Sequence, residues 1–490
     1  MGRTQIILGP PGTGKTTKLL HIIEAAIQEG IPPHRIACLT FTKKAAEELI
    51  NRACEKFGLT PKSFPLIRTL HSLAFRQMGI TKERVMDTEM FTTFGEDTGG
   101  YDFTRDYDEN IERLPRGGGI GDRCMALYSL HKAKQIPLED IWLINQNGVD
   151  WPTFKYFAAC LERFKSTYHV YDFTDFCDVK APPLDVSIFI IDEAQDLTTQ
   201  QWGYASRAAK TANKVYIAGD DDQAIFQWAG ADVNKLFRLK GKVTVLPKSW
   251  RLPRKIYDLA NHISSGIKHR YPKEWSPRDE EGAVNYFGGA DQVDMKEGTW
   301  FFLARHQYQL DFAETLVRQA GLAYTIGKRS SVGDDEIRAA LAYEMVRGGG
   351  RISSRQAQLI RKFMSFMLVP PDKEFLDWEN IKFAFDGKPD WMQALDLMGD
   401  NHRDYIRLLR SNGESLTAQP RIHISTIHGV KGGEMDHVLL MPGMSPKSFN
   451  AMDDDMDQEL RVWYTAITRA MYSLNIVLPT GRRYINSLFY

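Results

Sequence analysis

The stretch TQIILGPPGTGKTTKLLHIIEAAI, Thr4 to Ile27, sets Gly9, Gly14, Lys15 and Thr16 at the spacing G-x-x-x-x-G-K-[ST]. Glycines at such positions let backbone N–H groups curl around phosphate oxygens, and the following helix start adds its positive dipole. Lys15 supplies a cation for the outer phosphates, and the Thr16 hydroxyl is a ligand for Mg²⁺. The whole turn, Gly9, Pro10, Pro11, Gly12, Thr13, Gly14, Lys15, Thr16 and Thr17, is the expected triphosphate cradle. A second group of the same chemistry follows the apolar run Val186–Ile191, where Asp192 and Glu193 stand side by side. Asp192 suits Mg²⁺, and Glu193 suits orienting or deprotonating an attacking water. Alone, that pair reads equally well as a solvated acidic turn; beside a phosphate loop the catalytic reading is the better one.

These residues need elements to hold them. Thr4–Leu8 reads as a short buried strand running into the glycine turn and then an amphipathic helix. The unbroken apolar run before Asp192 indicates a parallel strand covered on both faces. Open α/β sheets bind ligands at the carboxyl ends of their strands, which is where both groups fall. At 490 residues, 43% apolar and 25% charged, the chain is expected to fold as two to four globular domains. No apolar run approaches the roughly 20 residues of a membrane helix, and the first residues lack the layout of a signal peptide. Cys38, Cys54, Cys124, Cys160 and Cys177 are scattered without metal-ligand spacing, which suits a reduced cytoplasm and no structural zinc. The formal net charge is zero, a mild argument against nucleic-acid binding, although a sum leaves room for a local basic groove.

The phosphate loop alone fits AAA-type ATPases equally well. The remaining segments discriminate. DEAQD (Asp192–Asp196), GDDDQAIFQWAGAD (Gly219–Asp232) and LPKSWR (Leu246–Arg251) resemble motifs II, III and IV of superfamily 1 helicases of the UvrD/Rep/PcrA kind. The resemblance extends upstream to LTFTKKAAEEL (Leu39–Leu49, motif Ia), TLHSLAFR (Thr69–Arg76, motif Ib) and YDFTDF (Tyr171–Phe176). Downstream it takes in STIHGVKGGEMDHVLL (Ser425–Leu440, motif V) and VWYTAITRA (Val462–Ala470, motif VI). The order is the family's and spans almost the whole chain.

The resemblance implies an α/β fold of two RecA-like P-loop motor domains with parallel sheets, each carrying a mostly helical insertion. It implies an ATP- and Mg²⁺-dependent DNA helicase or translocase acting on single-stranded, tailed or forked duplex DNA. Gln223 matches the glutamine that senses the γ-phosphate, and Trp250 an aromatic that stacks on adenine. Arg251 and Arg469 match the two γ-phosphate arginines, the second supplied by the other motor domain, and Glu434 the acid near the ribose. Guanidinium groups at such places are worth about 10³–10⁵ in rate. Phe41, Phe226 and Trp228 match base-stacking positions, and Thr42, His71, Thr426 and His428 match positions touching phosphate or sugar. The acidic turn with Gln223 is then expected to face ATP and Mg²⁺. Without that ordered context Arg251 and Arg469 would be ordinary interface cations, Trp250, Phe226 and Trp228 packing aromatics, and both histidines structural.

Residues 1–80 and 166–240 are expected to form the first motor domain and 81–165 its insertion, with the loop LPRGGGIGDR (Leu114–Arg123). Residues 241–332 and 420–490, including the strand candidate KVTVL, are expected to form the second, and 333–419 its shortened insertion. The sequence departs from the family at Lys43, Gly433, Phe226, Gln227 and Ala229, the last two removing positive charge from the suspected DNA groove. The family's adenine-reading glutamine motif is not found upstream of Gly9, so the expected base contact is stacking on Trp250, which tolerates any base and does not select adenine. The motif wording favours 3′-to-5′ movement, with no nuclease module after Arg469. A monomer or weak oligomer without membrane contact, meeting replication or repair proteins, is the expected state. A protein-stripping translocase with little unwinding and an AAA-type remodeller are the competing readings.

Overall fold

In the computed structural model the described residues are 3–40, 42–103, 118–178, 181–365, 374–382, 387 and 389–488. They divide into two units. The first comprises Met1–Leu252, Ser264–Arg278 and Asp457–Tyr464; the second comprises Pro253–Ile263, Asp279–Met456 and Thr465–Tyr490.

Six strands form the sheet of the first unit: β1 (Arg3–Leu8), β2 (Ile36–Thr40), β3 (Ile67–Thr69), β4 (Ile188–Ile191), β5 (Lys214–Gly219) and β6 (Lys242–Val245). Their order is β3-β2-β4-β5-β1-β6, and every pair is parallel. All four residues of β4 are buried, as its unbroken apolar run requires. The period of two sorts the side chains between two layers. Ile7, Ile188 and Ile190 meet Leu19, Ile23 and Leu49 from helices α1 (Lys15–Gln28) and α2 (Lys43–Phe57). Ile6, Leu8, Phe189 and Ile191 face the opposite layer, which holds Leu73 of α3 (Leu70–Met78) and Trp202 of the helix Thr199–Ala208.

The expected first insertion is helical: α4 (Thr88–Asp97), α5 (Ile120–Lys134), α6 (Leu138–Asn145) and α7 (Trp151–Tyr168). It has a core of its own, in which the Phe94 ring meets Phe157 and Phe164 edge-on at 5.5 and 5.4 Å. Of the glycine-rich loop, residues 114–117 lie outside the described residues.

The second unit contains β7 (Ala283–Phe287), β8 (Trp300–Ala304), β9 (Tyr324–Ile326), β10 (Arg329–Ser330), β13 (Ile422–Thr426), β14 (Met435–Met441) and β15 (Ala470–Val477), with β11 (Ile352–Ser353) and β12 (Phe375–Leu376) as a small separate pair. The seven strands run β10-β9-β13-β8-β14-β15-β7, parallel except for the β9–β10 hairpin. The described part of 333–419 includes the helices Asp335–Arg347, Ser354–Lys362 and Asp400–Ser411, but unlike the first insertion they share the sheet's own core. Tyr343, Ile360 and Leu409 belong to one cluster with Phe302, Ile424 and Leu439. The fold is thus α/β, with two RecA-like cores and mostly helical insertions. No helix among the described residues is long and apolar enough to cross a membrane.

One strand falls elsewhere than the sequence suggested. KVTVL, expected in the second motor domain, pairs as β6 with β1 and ends the first sheet. Its residues are largely exposed, so no burial pattern marked which sheet it joins.

Candidate nucleotide and nucleic-acid sites

The phosphate loop leaves β1 at Leu8 and is tied to the end of β5 by the Gly9 N–H, which donates to the Gly219 carbonyl at 3.0 Å. Gly12 and Gly14 take φ of +71° and +81°, a left-handed backbone that favours glycine. A Cβ on Gly9 would stand 2.0 Å from Lys15 Cγ, so the lysine stem occupies the space a side chain would need. Thr13 Oγ1 donates to the Pro10 carbonyl at 2.7 Å and closes the turn. Thr16 is half-buried and Thr17 exposed at the first turn of α1. Lys15 Nζ donates to the Gly9 carbonyl at 3.2 Å and pairs with Glu193 at 3.3 Å. Burial works to lower its pKa, but the carboxylates of Glu193, Asp220 and Asp192 outweigh it and hold the ammonium above its ordinary value.

Asp192 and Glu193 follow β4 directly. Asp192 is only 8% exposed. Burial, then the neighbouring Glu193, push its pKa up to about 7, with Lys15 opposing. A buried carboxylate short of counter-charge, with a threonine hydroxyl in the facing loop, is a hard-oxygen donor set that fits Mg²⁺. Glu193 sits in the left-handed region at φ +51°, an uncommon and costly conformation for a side chain of its size. Gln195 Nε2 donates to its carboxylate at 2.5 Å and to Asp196 at 3.3 Å. The other end of the same amide accepts the Asp220 N–H at 2.9 Å. Gln195, fully buried, therefore joins the end of β4 to the end of β5.

The three acids of the turn after β5 are buried against cations from distant segments, and Asp220 also acts on Lys15 of the phosphate loop. Lys273 Nζ, itself buried, lies 2.7, 2.7 and 2.6 Å from Asp220, Asp221 and Asp222. Arg270 adds a two-pronged pair to Asp222 at 2.9 and 2.5 Å, and Arg461 donates to the Asp221 carbonyl at 2.9 Å. Three carboxylates within three residues are tolerated because cations from distant segments enter with them. Gln223 is held through Asp220, to which its Nε2 donates at 2.7 Å. Three residues on, Phe226 is only 7% exposed, which leaves little ring for a base. Trp228 is more open, its ring 6.4 Å from that of Phe226 and tilted by 58°.

Motif IV packs on the same loop. Ser249 Oγ donates to the Pro11 carbonyl at 2.8 Å and accepts the N–H groups of Arg251 at 3.2 Å and Leu252 at 3.0 Å. The Trp250 N–H donates to the Gly12 carbonyl at 2.8 Å. A Cβ on Gly12 would stand 2.3 Å from Arg251 Cβ, so the glycine is also needed for this approach. Trp250 is 69% exposed, which rules out a core-packing role, and Lys248 lies over its ring at 5.3 Å.

Of the other expected contacts in this unit, Thr42 is exposed and caps α2 by accepting the Ala45 N–H at 3.2 Å; Phe41 lies outside the described residues. Burial lowers the His71 pKa to about 4, which favours its neutral form at pH 7. In the second unit, Thr426 and His428 are half-buried at the end of β13, and Glu434 is exposed just before β14. Arg469 is buried within that unit, donating to the carbonyls of Thr465 at 3.0 Å and Gly433 at 3.1 Å.

A family model described as an AAA domain matches residues 1–229, and one described as a UvrD-like helicase C-terminal domain matches residues 400–480. Together these matches support a superfamily 1 helicase of the UvrD/Rep/PcrA type. Among curated relatives of this type, ATP-dependent DNA helicase PcrA of Leuconostoc citreum is 23% identical over 75% of this chain and 51% of its own length. DNA helicase II of Escherichia coli strain K12 is 23% identical over 98% of this chain and 82% of its own length. ATP-dependent DNA helicase Rep of Buchnera aphidicola from Baizongia pistaciae is 22% identical over 57% and 43%. The chain spans about half the length of the two PcrA relatives it matches.

Three features of the site escaped the sequence reading: the Ser249 hydroxyl, the Gln195 amide and the Lys273–Arg270 pair. Ser249 and Gln195 lie inside the motifs LPKSWR and DEAQD, among other polar residues that give no local sign of their contacts. Lys273 and Arg270, in HRYPKEW, stand far from the acids in sequence, with no local sign of their partners.

Proposed function

We propose that this chain is a DNA-dependent ATPase that turns ATP hydrolysis into movement along single-stranded DNA and unwinds duplex ahead of it. The observation carrying this reading is the convergence of Lys15, Asp192, Glu193 and Gln223 at the ends of β1, β4 and β5, with Arg251 fixed to the same loop by Ser249. In this reading Lys15 and the backbone of Gly9–Thr17 hold the phosphates, Glu193 orients and deprotonates water, and Gln223 senses the γ-phosphate. Thr16 and Asp192 are the residues for Mg²⁺, whose charge would offset that developing on the phosphoryl oxygens. Arg251 stabilises the transferring phosphoryl, and the family pattern assigns Arg469 the same task. Trp250 is the stacking surface for the base, and Glu434 the ribose contact. Trp228, with Thr42, His71, Thr426, His428 and a lesser share from Phe226, forms the strand-contacting set. The first motor domain then runs through β6 to Leu252, beyond the 240/241 boundary read from sequence.

Movement is proposed as 3′-to-5′, on the wording of motifs Ia and III. Unwinding of a 3′-tailed duplex but not a 5′-tailed one is the expected result, and the reverse refutes the polarity. A second reading, a translocase that strips proteins and unwinds weakly, is favoured by one observation: residues 333–419 share the sheet's core instead of forming a separate arm. Translocation without strand separation in paired assays would select it. An AAA-type remodeller is the weakest reading, since a second parallel sheet accompanies the first in the same chain.

A further inference from the structure

We propose that Tyr308, stacked on His306, is an additional base-stacking platform for single-stranded DNA in the second unit. The inference rests on the strand-binding reading above and extends it to a residue outside the quoted motifs. Tyr308 is 61% exposed, in the short turn Gln307–Gln309 that follows β8. Its ring lies parallel to that of His306, at 10° and 5.6 Å between centroids.

The histidine beneath it is held once at its ring and once at its backbone. Its Nε2 accepts the Ser445 N–H at 2.9 Å, which fixes the orientation of the ring. Its backbone N–H donates to Gln309 Oε1 at 2.9 Å, and Gln309 Nε2 donates to the Gly443 carbonyl at 3.0 Å. A tyrosine laid on so constrained a ring keeps its outer face presented at little further entropic cost, which is what a stacking surface needs. Phe312, one helical turn further on, is 57% exposed, while Leu310, Ala313 and Val317 of the same helix face the core.

Position supplies the occupant. The turn stands at the carboxyl end of β8, in the middle of the sheet beside β13. The Ile427 N–H donates to the Ala304 carbonyl at 3.0 Å, joining the end of β8 to the motif V turn that carries Thr426 and His428. Exposed polar neighbours Gln307 and Asp311 interrupt the apolar surface, which favours separate stacked bases over a broad protein contact. Where motif III has lost two family arginines, an added aromatic would restore sequence-independent affinity.

The test is binding of a labelled oligo-dT by fluorescence anisotropy, with photocrosslinking to an oligonucleotide carrying 5-iodouracil. Tyr308→Ala is expected to weaken binding by about 5- to 100-fold, the range for loss of one stacked base. Tyr308→Phe is expected to bind as wild type, and ATPase activity without DNA to stay unchanged in both. The crosslinked peptide is expected to contain residue 308. Wild-type affinity in Tyr308→Ala with crosslinks only elsewhere overturns the platform and leaves the strand-binding reading intact. Failure of the wild type to bind oligo-dT overturns both.

Discussion

Ser249 Oγ donates to the Pro11 carbonyl at 2.8 Å and, through the same oxygen, accepts the Arg251 N–H at 3.2 Å. One buried hydroxyl thus ties the phosphate loop to Arg251, the arginine proposed above for the γ-phosphate. Ser249→Ala leaves a carbonyl and two N–H groups without that partner, a loss of about 1–3 kcal/mol. A lower thermal midpoint is expected together with a fall in kcat/KM for ATP of roughly tenfold or more, since tenfold corresponds to about 1.4 kcal/mol. Unchanged ATP kinetics in a correctly folded variant would remove Ser249 from the site.

Gln195 is expected to act on turnover and not on ATP affinity. It holds the Glu193 carboxylate at one end of its amide and the Asp220 N–H at the other. Gln195→Met keeps the volume and removes both contacts. Because positioned general bases contribute about 10²–10⁴ in rate, a drop in kcat approaching the lower figure is expected, with KM for ATP little changed. An equal rise in KM with kcat preserved would make Gln195 a structural residue only.

Lys273 carries the stability of the motif III turn. Lys273→Met strands three buried carboxylates with Arg270 as the remaining close cation, and breaking such a pair costs about 3–5 kcal/mol. Reduced soluble yield and an early unfolding transition are expected. Adding Asp221→Asn should recover part of the loss, since burial and the adjacent acids already raise the pKa of Asp221. A double variant no better than the single would contradict the pairing.

How much of this was legible can be judged residue by residue. The phosphate loop and β4 were, because glycine spacing and an unbroken apolar run each demand one local geometry. β6 was not: KVTV at an exposed sheet edge satisfies either domain. The burial of the GDDDQ acids is not legible because their partners, Lys273 and Arg270, come from a distant segment that only folding brings near. Phe226 illustrates a third limit, since sequence cannot divide an aromatic pair into its buried and its open member. Trp250 went the other way, its exposure removing the packing alternative.

Acid sensitivity should include a His71 component. Burial lowers its folded pKa to about 4 from 6.5, so the folded state prefers the neutral ring. That contribution is complete above pH 6.5 and is lost as pH falls through about 4. Between pH 7 and pH 5 the wild type should lose up to about 2 kcal/mol more unfolding free energy than His71→Gln. Parallel pH profiles for the two proteins in denaturant titrations would show that His71 does not titrate this way.

The most direct measurement is the steady-state ATPase rate with and without single-stranded DNA, for the wild type and Lys15→Ala. A rate that rises when oligo-dT is added, and that falls by about 10²–10³ in the variant under both conditions, is expected when a phosphate-binding cation is removed. A wild-type rate indifferent to DNA would contradict the motor reading, however well ATP itself is hydrolysed.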